Sequence, residues 1–169
     1  MGRNSLCGEL FLPVETFRPG KDCTAGWSCN PMELSMHAQE MISTHPQVGG
    51  QTNDALIRCI EECYSCAQTC TSCADACLAE DNVKSLTQCI RLNLDCADIC
   101  NITGRISTLR TGSGEEMIRR MLDTCAAACR LCAEECEKHA KMHEHCRICA
   151  ESCRRCLDAC EEAGRSMVH

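Results

Sequence analysis

Cysteine recurs at Cys59, Cys63, Cys66, Cys70, Cys73 and Cys77, a spacing of four, three, four, three and four residues. With about 3.6 residues per turn, that alternation keeps every thiol on one stripe of an α-helix. Three further stripes follow: Cys89, Cys96 and Cys100, then Cys125, Cys129, Cys132 and Cys136, then Cys146, Cys149, Cys153, Cys156 and Cys160. In the second of the four the register also requires a residue at 93, where the chain has Asn93. One or two buried cysteines behave as small hydrophobes, but eighteen at seam positions with few large partners would underfill a core. Disulfides face a reducing poise in a cytosolic chain, and same-helix pairs four residues apart have backbone geometry poorly suited to an unstrained bridge. Metal binding is the chemistry that remains.

Softness and ligand number choose the metal. Zn(II) in closed sites takes four tetrahedral ligands, usually from short C-x-x-C loops, and iron–sulfur clusters need four ligands converging from loops. These stripes are instead straight ladders of single donors. Cu(I) is soft and d10, satisfied by two or three thiolates, so pairs such as Cys59 and Cys63, or pairs across helices, suit it. A buried thiolate is costly alone, and one monovalent cation per thiolate cancels the interior charge. The expected cargo is multiple Cu(I) ions, about one per core cysteine and so on the order of 18. Many equivalent sites mean storage. A zinc or mixed-metal thiolate buffer of metallothionein type is the alternative. A thiol–disulfide or peroxide enzyme would single out one cysteine of depressed pKa with a resolving partner. No cysteine here stands apart, so no catalytic residue is expected.

Four helices are needed to position the stripes. No Gly or Pro interrupts Asn53 to Glu80, and Thr52, Asn53 or Asp54 can cap that helix, as Asp81 or Asn82 can cap the next. The stretch Gly104 to Gly114 reads as a loop, and Ser113 followed by Glu116 as a capping box opening the third helix. Extending the alternation from Cys125 predicts 139, 143, 146 and then 150, yet the next cysteine after Cys146 is Cys149. The phase slip breaks the helix around Ala140 to Glu144. Short connections make neighbours antiparallel. The fold expected is all-α, an antiparallel up-down-up-down four-helix bundle with a short extra N-terminal helix from Glu33 to about Ser43, stopped by Pro46, Gly49 and Gly50. The thiol-lined tube is roughly 27 Å long if Cys59 to Cys77 rises ~1.5 Å per residue. The domain division expected is an irregular extension over 1–31, the bundle over 32–164 and a tail over 165–169.

Composition limits the partners. Aromatics are 2% of the 169 residues, and the formal net charge of -7 gives nucleic acid no electrostatic support. Basic residues are interspersed with acids, as on a solvated helical surface. Met1 to Pro13 has one arginine and no apolar h-region, and no apolar run is long enough to span a membrane. A reducing cytoplasm is the expected setting, where thiols stay free for metal.

The ladder from Cys59 to Cys77, the C-I-R-L-N-L-D-C segment at Cys89 to Cys96 and the M-H-E-H-C-R-I-C-A-E-S-C-R-R-C run at Met142 to Cys156 resemble the cytosolic branch of the bacterial copper storage proteins, over about Glu33 to Gly164. The resemblance implies a homotetramer, a short N-terminal helix, thiolate-bridged Cu(I) along the core and histidines at the metal entrance. The first thirty residues, with Cys7, Cys23 and Cys29, match nothing in that family; Met32 or Met36 is a candidate start, which would leave those three cysteines outside the ligand set.

The two ends of the tube differ. One gathers Cys77, Cys89, His139, Met142, His143 and His145, and continuing the third stripe from Cys136 lands on His139 and His143. These imidazoles, with Met142, extend the ladder to the rim and can pass Cu(I) inward by ligand exchange. The other end gathers Leu56, Ile102, Ile106, Leu109, Ile118, Met121 and Leu122 as an apolar plug. Asn93 is open to two readings, an amide oxygen ligand or a hydrogen-bonded core amide. Met36 and Met41 are read as helix packing rather than ligands.

Overall fold

The computed structural model describes residues 37–112 and 114–167. Its elements are helical throughout: α1 (Ala38–Ser43), α2 (Asp54–Leu78), a 3-10 turn (Val83–Leu86), α3 (Thr87–Thr108), α4 (Glu115–His139) and α5 (Glu144–Ser166). Cys7, Cys23, Cys29, Met32 and Met36 lie outside the described residues. Helix α2 packs against α3 and α5, and α4 packs against the same two, so α2 faces α4 across the bundle axis. With short connections between successive helices, this is an up-down-up-down bundle, with α1 laid against α2.

Local chemistry accounts for most helix ends. Asn53 caps α2, its Oδ1 accepting the Leu56 amide at 3.1 Å, while its Nδ2 donates to Ser166 Oγ at 2.9 Å and ties the start of α2 to the end of α5. The break at 140–144 follows the phase slip: Ala140 closes α4, and His143, in extended backbone, precedes α5. Two other ends differ from the sequence expectation. Asp81 and Asn82 lead into the 3-10 turn without a side-chain cap, and α3 begins only after that turn has drawn Leu86 fully out of solvent. Helix α4 is preceded by Gly114 with no side-chain cap, and Ser113 lies outside the described residues.

The segment read as a loop from Gly104 is helical as far as Thr108. Gly104 is a packing residue: a Cβ placed there would lie 3.1 Å from Tyr64 Cε2 and 3.4 Å from Cys63 Cβ. Its missing side chain lets α3 close on α2.

The same economy runs along the core. Ala67, Ala74, Ala97, Ala126, Ala133, Ala150, Ala159 and Ala163 are buried beside the cysteines, so small side chains dominate the seam and its flanks. The outer faces carry exposed ion pairs such as Arg58 with Glu162, Arg154 with Glu137, and Arg91 with Asp95. Pairs so exposed contribute little stability each. No helix among the described residues is long and apolar enough to cross a membrane.

Gly104→Leu would force α3 away from Tyr64 and Cys63, so reduced apoprotein is expected to lose about 1–3 kcal/mol in urea unfolding, the usual cost of overpacking. An unchanged midpoint would show that the α2–α3 contact yields without cost.

Candidate metal centre

All eighteen stripe cysteines, from Cys59 to Cys160, are buried, and none is bridged. Their sulfurs converge on the axis from different helices: Cys59 to Cys160 at 3.5 Å, Cys63 to Cys125 at 3.8 Å, Cys100 to Cys129 at 3.6 Å, Cys66 to Cys153 at 3.7 Å, Cys70 to Cys149 at 3.6 Å, and Cys89 to Cys136 at 3.6 Å. These separations far exceed the ~2.05 Å of a disulfide.

Sets of four sulfurs mutually within 4.8 Å include Cys63, Cys125, Cys156 and Cys160; Cys66, Cys96, Cys100 and Cys129; Cys66, Cys70, Cys96 and Cys153; Cys70, Cys132, Cys149 and Cys153; and Cys73, Cys77, Cys89 and Cys146. Cys66, Cys70, Cys96 and Cys153 each belong to two of these sets. In the middle of the tube one sulfur can therefore serve two neighbouring ions, which links those three sets into a series of soft-metal positions.

Asn93, the register position without a thiol, is fully buried among sulfurs. Its Oδ1 accepts from Cys149 at 2.9 Å and Cys132 at 3.5 Å, and its Nδ2 donates to the Cys89 carbonyl at 2.8 Å and to Cys89 Sγ at 3.3 Å. The amide is thus satisfied in the apoprotein while its oxygen faces the thiol path.

So many close thiols cannot all ionise together. Hydrogen bonds from Cys160 and then Cys63 lower the Cys59 thiol to about 5. Cys63, Cys70 and Cys129 are raised, chiefly by hydrogen bonds with surrounding thiols and further by burial. At the rim, burial and then the charge of Cys89 raise Cys77 to about 11. A thiolate settles where neighbours donate to it, and those donors keep their protons.

The end layers follow from the register. Continued outward, the stripes of α2 and α4 reach Glu80 and His139, and that of α5, traced back from Cys146, reaches His143. His145 Nδ1 lies 3.5 Å from both Cys73 Sγ and Cys146 Sγ and 3.9 Å from Cys77 Sγ, which makes it the imidazole in contact with thiols. His143 stands in the turn before α5, where its Nδ1 meets Glu80 Oε1 at 2.9 Å, so it reaches the rim from that turn rather than along the third helix. His139 Nε2 is 3.4 Å from Glu135 Oε1. Hydrogen bonds from His145 and then His143 hold the Glu80 carboxyl below its usual range. Met142 is 68% exposed beside this cluster.

Glu80 was not among the sequence candidates, although the alternation that ends at Cys77 places the next stripe residue there. A search confined to soft ligands passes over a carboxylate.

At the opposite end Leu56, Ile118 and Leu122 are buried, together with Thr103, Ser107 and Ala163. The expected plug is smaller than its residue list: Ile102 and Leu109 are exposed, and Ile106 and Met121 are only half-buried, because the outer faces of α3 and α4 have no helix packed over them. Met41, read as packing, is 69% exposed on α1 and does not belong to the buried core.

Comparison with known proteins sets this geometry beside others. The family model for the copper storage protein matches residues 52–165. The cytosolic copper storage protein of Streptomyces lividans, solved with 10 copper equivalents, is 48% identical over 76% of this chain and 98% of that one, with a TM-score of 0.73. A five-copper form of it is 52% identical over 66% of this chain and 93% of that one, with a TM-score of 0.65. The Cu(I)-bound copper storage protein BsCsp3 is 34% identical over 66% of this chain and 95% of its own, with a TM-score of 0.52. An uncharacterized cysteine-rich protein of Bacillus subtilis, YhjQ, is 37% identical over 102 residues, 60% of this chain and 89% of that protein.

Metal binding to a thiol that is protonated at neutral pH must displace its proton. Titration with a thiophilic monovalent ion at pH 7 in weak buffer is expected to release protons, because Cys77, raised to about 11, starts as the thiol. The sign follows: affinity at that position weakens as pH falls below about 11, whereas Cys59, lowered to about 5, competes with protons only near and below that value. A titration releasing no protons would contradict this pattern.

Proposed function

The chain belongs to the copper storage protein family, and on that premise we propose which of its side chains hold the metal and by what route it reaches them. Its cysteine-lined four-helix core stores many Cu(I) ions, and the protein is not an enzyme. Storage takes place in the cytosol, the setting described for the Streptomyces lividans relative, where thiols stay reduced.

The observation that carries the site assignment is the succession of four-sulfur sets along the axis, overlapping in its middle. The ligands are the eighteen stripe cysteines, Cys59 to Cys160, with Asn93 lending its amide oxygen between Cys132 and Cys149. Each thiolate bridges neighbouring Cu(I) ions, giving about one ion per cysteine and a nearly neutral interior. Copper enters at the end that carries His139, Met142, His143 and His145, and the imidazoles hand it to Cys73, Cys77 and Cys146 by ligand exchange. It then advances from Cys89 to Cys136, 3.6 Å away, and on through the sets in the middle of the tube that share sulfurs. The apolar layer of Leu56, Ile118 and Leu122 closes the far end.

Residues 32–164 form the metal-binding unit in this reading, with 1–31 and 165–169 outside it. Four copies assemble, as the family resemblance implies, and exposed Leu94, Ile102, Leu131 and Ile148 supply apolar surface for that contact. Neither nucleic acid nor membrane is a partner.

Protein purified anaerobically from copper-fed cells is expected to carry on the order of 18 Cu per chain; zinc at about half the cysteine count would favour the metallothionein-type reading instead. Cys66→Ala should lose about one or two ions with helicity intact, because the load is distributed. His139→Ala and His143→Ala should slow loading more than they reduce capacity, and an unchanged rate removes the proposed entrance. Light scattering is expected to give about four times the 18.6 kDa chain mass, and a monomer would overturn the assembly.

A further inference from the structure

Glu80 stands three residues beyond Cys77 on the α2 stripe, and a single oxygen of its carboxylate meets two rings, His143 Nδ1 at 2.9 Å and His145 Nε2 at 3.2 Å. A carboxylate oxygen only accepts, so both of those ring nitrogens must carry the proton. A neutral imidazole has one N–H, which leaves the lone pairs on His143 Nε2 and His145 Nδ1. In their neutral form the two rings are therefore held in opposite tautomers by one shared acceptor.

Neither lone pair is taken up by a nitrogen or oxygen donor among the described residues. His145 Nδ1 faces the thiols of Cys73, Cys77 and Cys146 at 3.5 to 3.9 Å. The His143 side chain is only 9% exposed, and its Nε2 is buried without a hydrogen-bond partner. A buried ring nitrogen left unpaired costs free energy that a bound ion would recover. The ring centroids are 5.4 Å apart.

We propose that Glu80 is a positioning residue which fixes His143 and His145 in opposite tautomers, so that both lone pairs form a receiving site for Cu(I) at the mouth of the tube. This rests on the reading that copper enters at the histidine end. Glu80 need not touch the metal. Without its oxygen the ring protons are free to redistribute, and a proton on His145 Nδ1 would block transfer to Cys73, Cys77 and Cys146. Partners of this kind typically change metal affinity or activity by about 10–100-fold when removed.

The test pairs a spectroscopic signature with a rate, using the full reduced chain. Long-range proton–nitrogen NMR of histidine-labelled apoprotein, assigned with His143→Ala and His145→Ala, should show protonated Nδ1 on His143 and protonated Nε2 on His145. Glu80→Ala should mix the tautomers and slow the first phase of Cu(I) transfer from a chelator by about 10-fold or more, with final capacity and apoprotein melting unchanged. Glu80→Gln, whose amide oxygen still accepts, should keep both tautomers and most of the rate. An equal loss in Glu80→Gln and Glu80→Ala would mean that charge, not tautomer, does the work, and would overturn the proposal. So would unchanged tautomers in Glu80→Ala. The entrance reading fails separately: loading at the parental rate in the His143→Ala, His145→Ala double variant removes it, whatever the tautomers are.

Discussion

Eighteen sulfurs held within bridging distance of one another, yet too far apart to bond, are the constraint on which the rest of this structure depends. Thiol side chains are short, so helices that bring sulfurs to within 3.5–4.0 Å of one another must themselves approach closely. Alanine on the flanks of each stripe and glycine at Gly104 remove the bulk that would hold them apart. The scarcity of aromatic side chains is thus a requirement of the seam.

Close thiols bring an electrostatic problem that metal resolves. In the apoprotein, charge is shared out: some sulfurs ionise while their neighbours keep protons and donate to them. Monovalent ions, at about one per sulfur, would displace the remaining protons and neutralise the sulfurs already ionised, so that the loaded interior would carry little net charge. The thiols that fill the apoprotein core are also the ligands, so storage requires no separate cavity. Asn93 fits the same logic, as a neutral group that satisfies its own hydrogen bonds to sulfur and still presents an oxygen to the path.

Direction comes from the two end layers. Toward Leu56 and Leu122 the stripes end in buried groups with no soft ligand among them. Toward Glu80, His139 and His143 they end in imidazoles set against carboxylates. Under the proposed entrance, a tube with similar ligands along its length gains a mouth only through what each stripe becomes after its last cysteine. Turn geometry matters there as well, because His143 reaches the rim from the turn between α4 and α5.

The 4-3 spacing alone determined that every thiol on a helix shares one face, because helical pitch is a local property, and the phase slip before Cys149 located the last helix break to within the observed turn. Asn53 as a cap was equally legible, since capping is settled within one turn of chain. Other features needed the assembled bundle. Gly104 reads as a loop signal until Tyr64 is set against it, and Ile102 and Leu109 read as core until the outer face of α3 is left uncovered. Only the tertiary structure brought Glu80 to His143 and His145, sixty-three and sixty-five residues away. Periodicity assigns a side chain to a face of its own helix; which groups meet at the end of a tube depends on how four helices and their turns close around a common axis.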